Sequence, residues 1–439
     1  MPLWPLIATL AAQTLATMAL FSLPAIAPAV ALALGVRGEF VGLFVSVAYG
    51  TGIISALLSP GFIHRYGGVR AMQAVLVAAA AMLTIAGGGS VGWLVVAAVV
   101  LGLGYGAAAP ASTHLLVPHT PARIFNMVMS LRQIGVPLGG VLASLVLPPL
   151  VLIAGWREAL LAELPAILLL TILLELPRNE WDAAREPGRR VVGRALLQPF
   201  ALLREAPIRR LSVASFVYSG TQLTFVAFMT VHLTTTTDFD LIHAARALAI
   251  YQIAGAVTRP IWGWITDRFI TPGQTLAVQG FGMAAASLTA GRFGPGWPSW
   301  LVLVVAAVAG CTAGGYTGIA YAEYAHLGGI RRTEATGLGT AIMFAGVLLI
   351  PSSFGLAVAT LGGYSLAYGT LATLTFASGA ALSRQQDKPR RFDLTEADRA
   401  RVRTRAASAG RKQVTGMPPV GAAPALPAPS ARLWRSSWG

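Results

Sequence analysis

The chain has 439 residues, of which 55% are hydrophobic and only 11% charged, with a formal net charge of +15. Ordinary soluble domains are about a quarter charged, so a water-soluble fold of this size could not hide so much apolar surface. Runs of about 20 apolar residues that satisfy their own backbone hydrogen bonds as helices in a bilayer are the alternative.

Apolar runs lie near 4–34, 40–63, 71–85, 93–117, 124–153 and 159–176, and a second set near 211–233, 244–265, 274–290, 300–325, 335–361 and 364–382. The pattern predicts an all-α membrane protein of twelve transmembrane helices. Four regions are expected: residues 1–177 as an N-terminal six-helix half, 178–209 as a basic cytoplasmic loop, 210–383 as a C-terminal half, and 384–439 as a disordered basic tail. No positive charge precedes the first run, so it reads as a retained span and not as a cleaved signal. The tail is rich in Pro, Ala, Ser and Arg and cannot bury a core.

The basic residues locate the topology. With the N-terminus inside, most of the 32 Lys and Arg fall in cytoplasmic loops and the tail, Arg259 and Arg268 counted among them. Only Arg37, Arg157, Arg246 and Arg292 lie opposite, and Arg132 alone falls inside a span. That bias puts both termini in the cytoplasm, and the setting reads as a bacterial inner membrane. The positive charge is therefore a topology signal first, and no nucleic-acid partner is implied. The single cysteine, Cys311, excludes an internal disulfide framework. No metal-ligand spacing, phosphate-cradling loop or nucleophile–base pair stands out, so neither cofactor nor metal is expected and the chain does not read as an enzyme.

The two sets of runs also carry matched features at one offset: Gln13 with Gln222, Gly106 with Gly315, and His114 with Glu323. Duplicated halves around a midplane site are a known transporter plan. After the eighth run the sequence reads Thr258-Arg259-Pro260-Ile261-Trp262-Gly263-Trp264-Ile265-Thr266-Asp267-Arg268. After the second, Pro60 and His64 stand where that pattern has Gly and Asp, while Arg65 and Gly67 are kept. The fifth run contains Gly135-Val136-Pro137-Leu138-Gly139-Gly140.

These segments resemble the major facilitator superfamily (MFS) over residues 4–382, and the resemblance implies its fold of two pseudo-symmetric six-helix halves. It further implies a secondary active transporter that carries a small organic solute by alternating access. Asp267 and Arg268 are then latch candidates, with Arg65 and Glu323 beside them, because a carboxylate can meet the positive end of a neighbouring helix. His64 makes the first-half latch doubtful or pH-sensitive. Glu323 reads either as a structural partner of Arg268 or Arg332 or as a proton carrier. In the family, helices 1, 4, 7 and 10 face the cavity, flanked by 2, 5, 8 and 11. Polar and aromatic residues on them give the substrate-binding candidates Gln13, Tyr49, Tyr105, Arg132, Gln133, Gln222, Tyr251, Gln252 and Tyr316. Helix 6 is peripheral in the family, so Glu163 and Glu175 are left outside the site.

Arg132 sets the substrate class. A guanidinium in a span needs a partner or water, and its planar fork suits a carboxylate. A small organic anion is therefore the leading cargo, and a proton or a counter-substrate a possible coupled partner, with the carrier a monomer. Arg132→Lys is expected to weaken transport while preserving stability. Efflux of apolar or cationic compounds is the alternative, and a receptor or membrane enzyme a further one.

Overall fold

In the computed structural model, the described residues are 3–36, 39–183, 185–188, 191, 199–361 and 363–384. Among them the chain is helical throughout, without strands. The tail from 385 onward, Arg37 and residues 184, 189–190 and 192–198 of the expected basic loop lie outside these residues.

Every one of the twelve apolar runs is helical. The first is α1 (Leu3–Ala25) and α2 (Ala27–Leu34), broken at Ile26 just after Pro24. Next come α3 (Glu39–Tyr66) and α4 (Gly68–Ala86), then α5 (Val91–Tyr105) with α6 (Ala108–His119). The fifth run is α7 (Phe125–Arg132) and α8 (Gly135–Ala154), and the sixth is α9 (Trp156–Leu161) and α10 (Leu164–Leu173). A short α11 (Arg178–Trp181) leads out of this set. The later set comprises α12 (Ala206–Thr236), α13 (Leu241–Arg268), α14 (Pro272–Ala290), α15 (Ser299–Ala313), α16 (Thr317–Gly328), α17 (Arg332–Leu361) and α18 (Tyr364–Ser383). Among the described residues eight segments are long and apolar enough to cross a membrane by length and composition, and one of them, Ser299–Thr360, covers two of the runs.

Within the first set α1 packs on α8, and α5 on α3 and α4. Within the second, α12 packs on α17, α14 on α18 and α13 on α15. The two sets meet where α3 lies along α17 and where α7 lies against α13 and α16. Missing side chains permit the last two contacts: a Cβ on Gly263 would stand 2.6 Å from Met127 Cα, and one on Gly318 would stand 2.4 Å from Ser130 Cα. Backbones this close are typical of small-residue helix contacts in membranes.

The turn between α3 and α4 is tied down by the segment that follows α10. Asp182 is buried and accepts from the N–H of Val69 at 3.0 Å and of Arg70 at 3.3 Å, at the positive end of α4. Burial pushes its carboxyl above the usual carboxylate range, against the pull of those N–H groups. The Glu186 N–H donates to the carbonyl of His64 at 2.7 Å. At this end Arg70 also meets Glu175 at 3.0 Å.

Candidate functional site

A cavity of about 100 Å³ opens where the two sets of helices face each other. From the first set it is lined by Gln13, Tyr49, Tyr105 and Gln133, and from the second by Gln222, Tyr316, Tyr321, Phe344 and Arg259. No carboxylate is among its lining residues. One wall is aromatic: the Phe344 ring stands edge-on to Tyr49 at 4.8 Å and stacks with Tyr105 at 5.9 Å, 13° from parallel.

Arg132 closes α7 and is fully buried behind that wall. Its guanidinium donates to Gln13 Oε1 at 3.2 Å, to Ser112 Oγ at 3.0 Å and to the side-chain oxygen of Gln133. It also lies 5.6 Å over the Tyr321 ring. Gln13, held through its oxygen, donates its amide to Thr17 Oγ1 at 3.0 Å and to the Tyr105 hydroxyl at 3.2 Å.

Arg259 is the functional candidate that sequence reading missed. It was counted with the cytoplasmic charges although the run 244–265 contains it, and in the structure it sits inside α13, 4% exposed and on the cavity wall. Its Nε donates to the carbonyl of Gly314 at 2.7 Å and a terminal nitrogen donates to the carbonyl of Gln133 at 2.5 Å. That second acceptor exists for a covalent reason. In an unbroken helix the Gln133 carbonyl would take the N–H of residue 137, and Pro137 has none. The ladder lapses to a shorter bond from Val136 at 3.2 Å, and the remaining capacity of the oxygen goes to Arg259.

Gln133 thus accepts from Arg132 through its side chain and from Arg259 through its backbone. Among the described residues no carboxylate lies within ion-pair range of either guanidinium. Arg132 Nε and the cavity-lining Thr317 Oγ1 are buried without a hydrogen-bond partner. An unfilled cation of this kind is costly in a bilayer unless water or an anion answers it.

The other expected site residues are divided. Gln13, Tyr49, Tyr105, Gln133, Gln222 and Tyr316 come together in the cavity. Arg132 stands one layer behind it. Tyr251 is buried with its hydroxyl 3.1 Å from the carbonyl of Gln222 and supports the wall from behind. Gln252 is exposed on α13, one residue out of phase, and is corrected out of the cavity. Tyr321, Phe344 and Thr340 also line the cavity and were missed, although Tyr321 and Phe344 are aromatics in apolar runs just as Tyr105 is.

At one end of the bundle Asp267 receives the N-terminal end of α7. Its Oδ1 accepts from the Asn126 N–H at 3.2 Å and from the Asn126 amide at 2.8 Å, and its Oδ2 from the Met127 N–H at 2.9 Å. Arg268 is exposed, Arg65 lies 5.2 Å over the ring of Tyr66, and Glu323 is buried on α16. His64, at the other copy of this turn, faces Glu334 in the first turn of α17, and its ring stands 5.8 Å from that of His114.

A two-set helical bundle with a polar, cation-bearing cavity at its centre is the build of a membrane carrier. The Major Facilitator Superfamily profile matches residues 9–327, and the chain belongs to that family, as a transporter and not an enzyme. It is 28% identical over 279 residues to the 4-hydroxybenzoate transporter PcaK of Pseudomonas aeruginosa, across 56% of this chain and 61% of that protein. The PcaK of Acinetobacter baylyi is 27% identical over 300 residues, across 59% and 64%. The chain thus spans about three fifths of the length of these relatives. In fold it is similar to the Escherichia coli fucose:proton symporter FucP, with TM-score 0.70 and 15% identity over 87% of this chain and 99% of that one. It is likewise similar to the human organic anion transporter MFSD10, with TM-score 0.65 and 17% identity over 86% and 98%.

Proposed function

We propose that this chain is a secondary transporter of a small organic anion, an aromatic carboxylate in particular, moved by alternating access of two six-helix halves around the cavity. The observation that carries this reading is the pair of buried guanidiniums, Arg132 and Arg259, sharing Gln133 with no carboxylate in ion-pair range among the described residues. An arginine fork matches a carboxylate in two parallel hydrogen bonds. In this reading Arg259 touches the carboxylate, Arg132 orients Gln13 and Gln133, and the rings of Tyr49, Tyr105 and Phe344 take the flat apolar part of the solute. The aromatic acid named for the PcaK relatives fits both features.

The same proposal puts the Asp267 end of the bundle and both termini on the cytoplasmic side of a bacterial inner membrane, with Asp267, Arg268, Arg65 and Glu323 at the latch between halves. The carrier works as a monomer, with a proton or counter-substrate as coupling partner. An acidic cavity, which efflux of cations would call for, is not what the lining residues offer.

The test is uptake of radiolabelled 4-hydroxybenzoate into proteoliposomes, against an apolar cation as control. Saturable uptake of the acid, competed by other aromatic carboxylates, is expected. Transport of the cation without the acid would overturn the reading.

A further inference from the structure

Glu163 lies at the break between α9 and α10, where α10 packs against α1 and α4. It is 4% exposed, within an apolar run, and the central cavity makes no use of it. Its Oε1 meets the hydroxyl of Ser22 on α1, and its Oε2 has no hydrogen-bond partner among the described residues. Ser22 Oγ also lies 2.7 Å from the carbonyl oxygen of Met18, one turn earlier.

Counting hydrogens decides the charge state. A serine hydroxyl owns one proton, while a carbonyl and an ionised carboxylate are acceptors only. If Glu163 were ionised, Ser22 could serve Met18 or Glu163, and the other oxygen pair would face each other with no proton between them. If Glu163 is a neutral acid, it donates to Ser22 Oγ and Ser22 donates to Met18, and both contacts are satisfied.

The surroundings agree. No charged residue stands on α1, α8 or α10. On α9, Arg157 stacks over Trp156 at 5.2 Å and reaches toward Gly89, and Glu158 is exposed. On α4 the one charge is Arg70, engaged with Glu175 at 3.0 Å. An ionised Glu163 would be a buried charge without a counter-ion.

We propose that Glu163 is a proton-binding site of this carrier, loaded in the conformation described, with Ser22 as its relay to α1. Loss of the proton leaves a carboxylate and sends H⁺ to water; Ser22 must then turn its own proton from Met18 to Glu163. That change falls just before the break in α1 at Ile26, on the helix whose Gln13 holds Arg132. Proton occupancy and the setting of the cavity are thereby linked through one helix. The proposal requires that the chain be a carrier, and it is independent of which anion is carried.

The test uses the full chain in lipid nanodiscs and proteoliposomes. Infrared difference spectra between acidic and alkaline buffer should show the carbonyl stretch of a buried protonated carboxyl at neutral pH, absent in Glu163→Gln and displaced in Ser22→Ala. Glu163→Gln, which copies the neutral acid, should keep counterflow of 4-hydroxybenzoate and lose its accumulation under an imposed pH gradient. Absence of the carboxyl band at neutral pH, or full gradient-driven accumulation by Glu163→Gln, would overturn the proposal. Should the variant fail to fold, the band in the unmodified chain and its shift in Glu163→Asp still decide. Should 4-hydroxybenzoate not be carried at all, the substrate reading fails and the infrared result stands by itself.

Discussion

His64 Nε2 stands 3.5 Å from Glu334 Oε1, a cation-capable ring on α3 against a carboxylate in the first turn of α17. At the other copy of this turn the polarity is reversed, because Asp267 brings the carboxylate and the end of α7 brings N–H groups. The Asp267 contact joins a carboxylate to backbone N–H groups, whereas the His64 contact sets a ring nitrogen against a carboxylate side chain. The neighbours that face His64 are the ring of His114, itself 3.2 Å from Thr333 Oγ1 on α17, and the Glu186 N–H on its carbonyl.

The contact should therefore help hold this end of the bundle closed. Counterflow of 4-hydroxybenzoate at one fixed pH on both sides is expected to quicken in His64→Ala, which removes the ring from Glu334. His64→Gln, which keeps a polar group within reach of that carboxylate, should fall between His64→Ala and the parent. A rate in His64→Ala equal to that of the parent would remove His64 from the latch.

Asp267→Asn keeps one carbonyl acceptor and turns an amide toward a backbone N–H. Loss of charge-assisted bonds of this kind costs roughly 1.5–3 kcal/mol, about a ten- to hundredfold shift toward the open latch. Maleimide labelling of Ser130→Cys in a Cys311→Ser background reads that opening, since Ser130 is buried under Gly318. Labelling as slow as in the parent would argue against the latch.

The two arginines should separate by assay. Arg259→Lys keeps the charge and loses the fork, so the KM for 4-hydroxybenzoate is expected to rise roughly ten- to hundredfold at unchanged thermal stability, from about 1.5–3 kcal/mol of lost charged hydrogen bonding. Arg132→Lys, expected from sequence to spare stability, should instead lower the thermal stability, because Gln13, Ser112 and Gln133 all lean on that guanidinium. If Arg259→Lys left KM untouched, direct contact with the carboxylate would be wrong.

Pro137→Ala returns an N–H to the helix and with it a rival for the Gln133 carbonyl. The variant should fold at least as well as the parent, since an interior proline costs a helix about 3 kcal/mol. Its KM should rise in parallel with that of Arg259→Lys. Unchanged affinity in a well-folded Pro137→Ala would show that Arg259 does not need this seat.

Much of the fold was legible because twelve apolar runs and two copies of one turn are features of composition and spacing. Gln13, Tyr105 and Gln133 were legible for the same reason, as polar or aromatic breaks in apolar helices. Arg259 was not: it falls within the run 244–265, yet its place next to Pro260 in the turn-like segment that ends in Asp267-Arg268 had it counted with the cytoplasmic charges. Gln252 failed by helical phase: its neighbour Tyr251 faces inward and a single step of 100° turns Gln252 out. Asp182 and Glu163 depend on partners 113 and 141 residues away, which no local pattern carries.

Gln133 holds two like charges, one on the wall of a small site and one a layer behind it. Empty, that site is under mutual repulsion; occupied by a monoanion, the same two charges draw inward on a shared centre. In the proposed reading cargo is then a part of the architecture, the piece that makes the middle of the carrier cohesive, and the loaded protein should be the sturdier one. Any carboxylate that fits should raise the melting temperature in proportion to the logarithm of its concentration above its dissociation constant, so thermal shift alone can rank solutes before a single flux is measured.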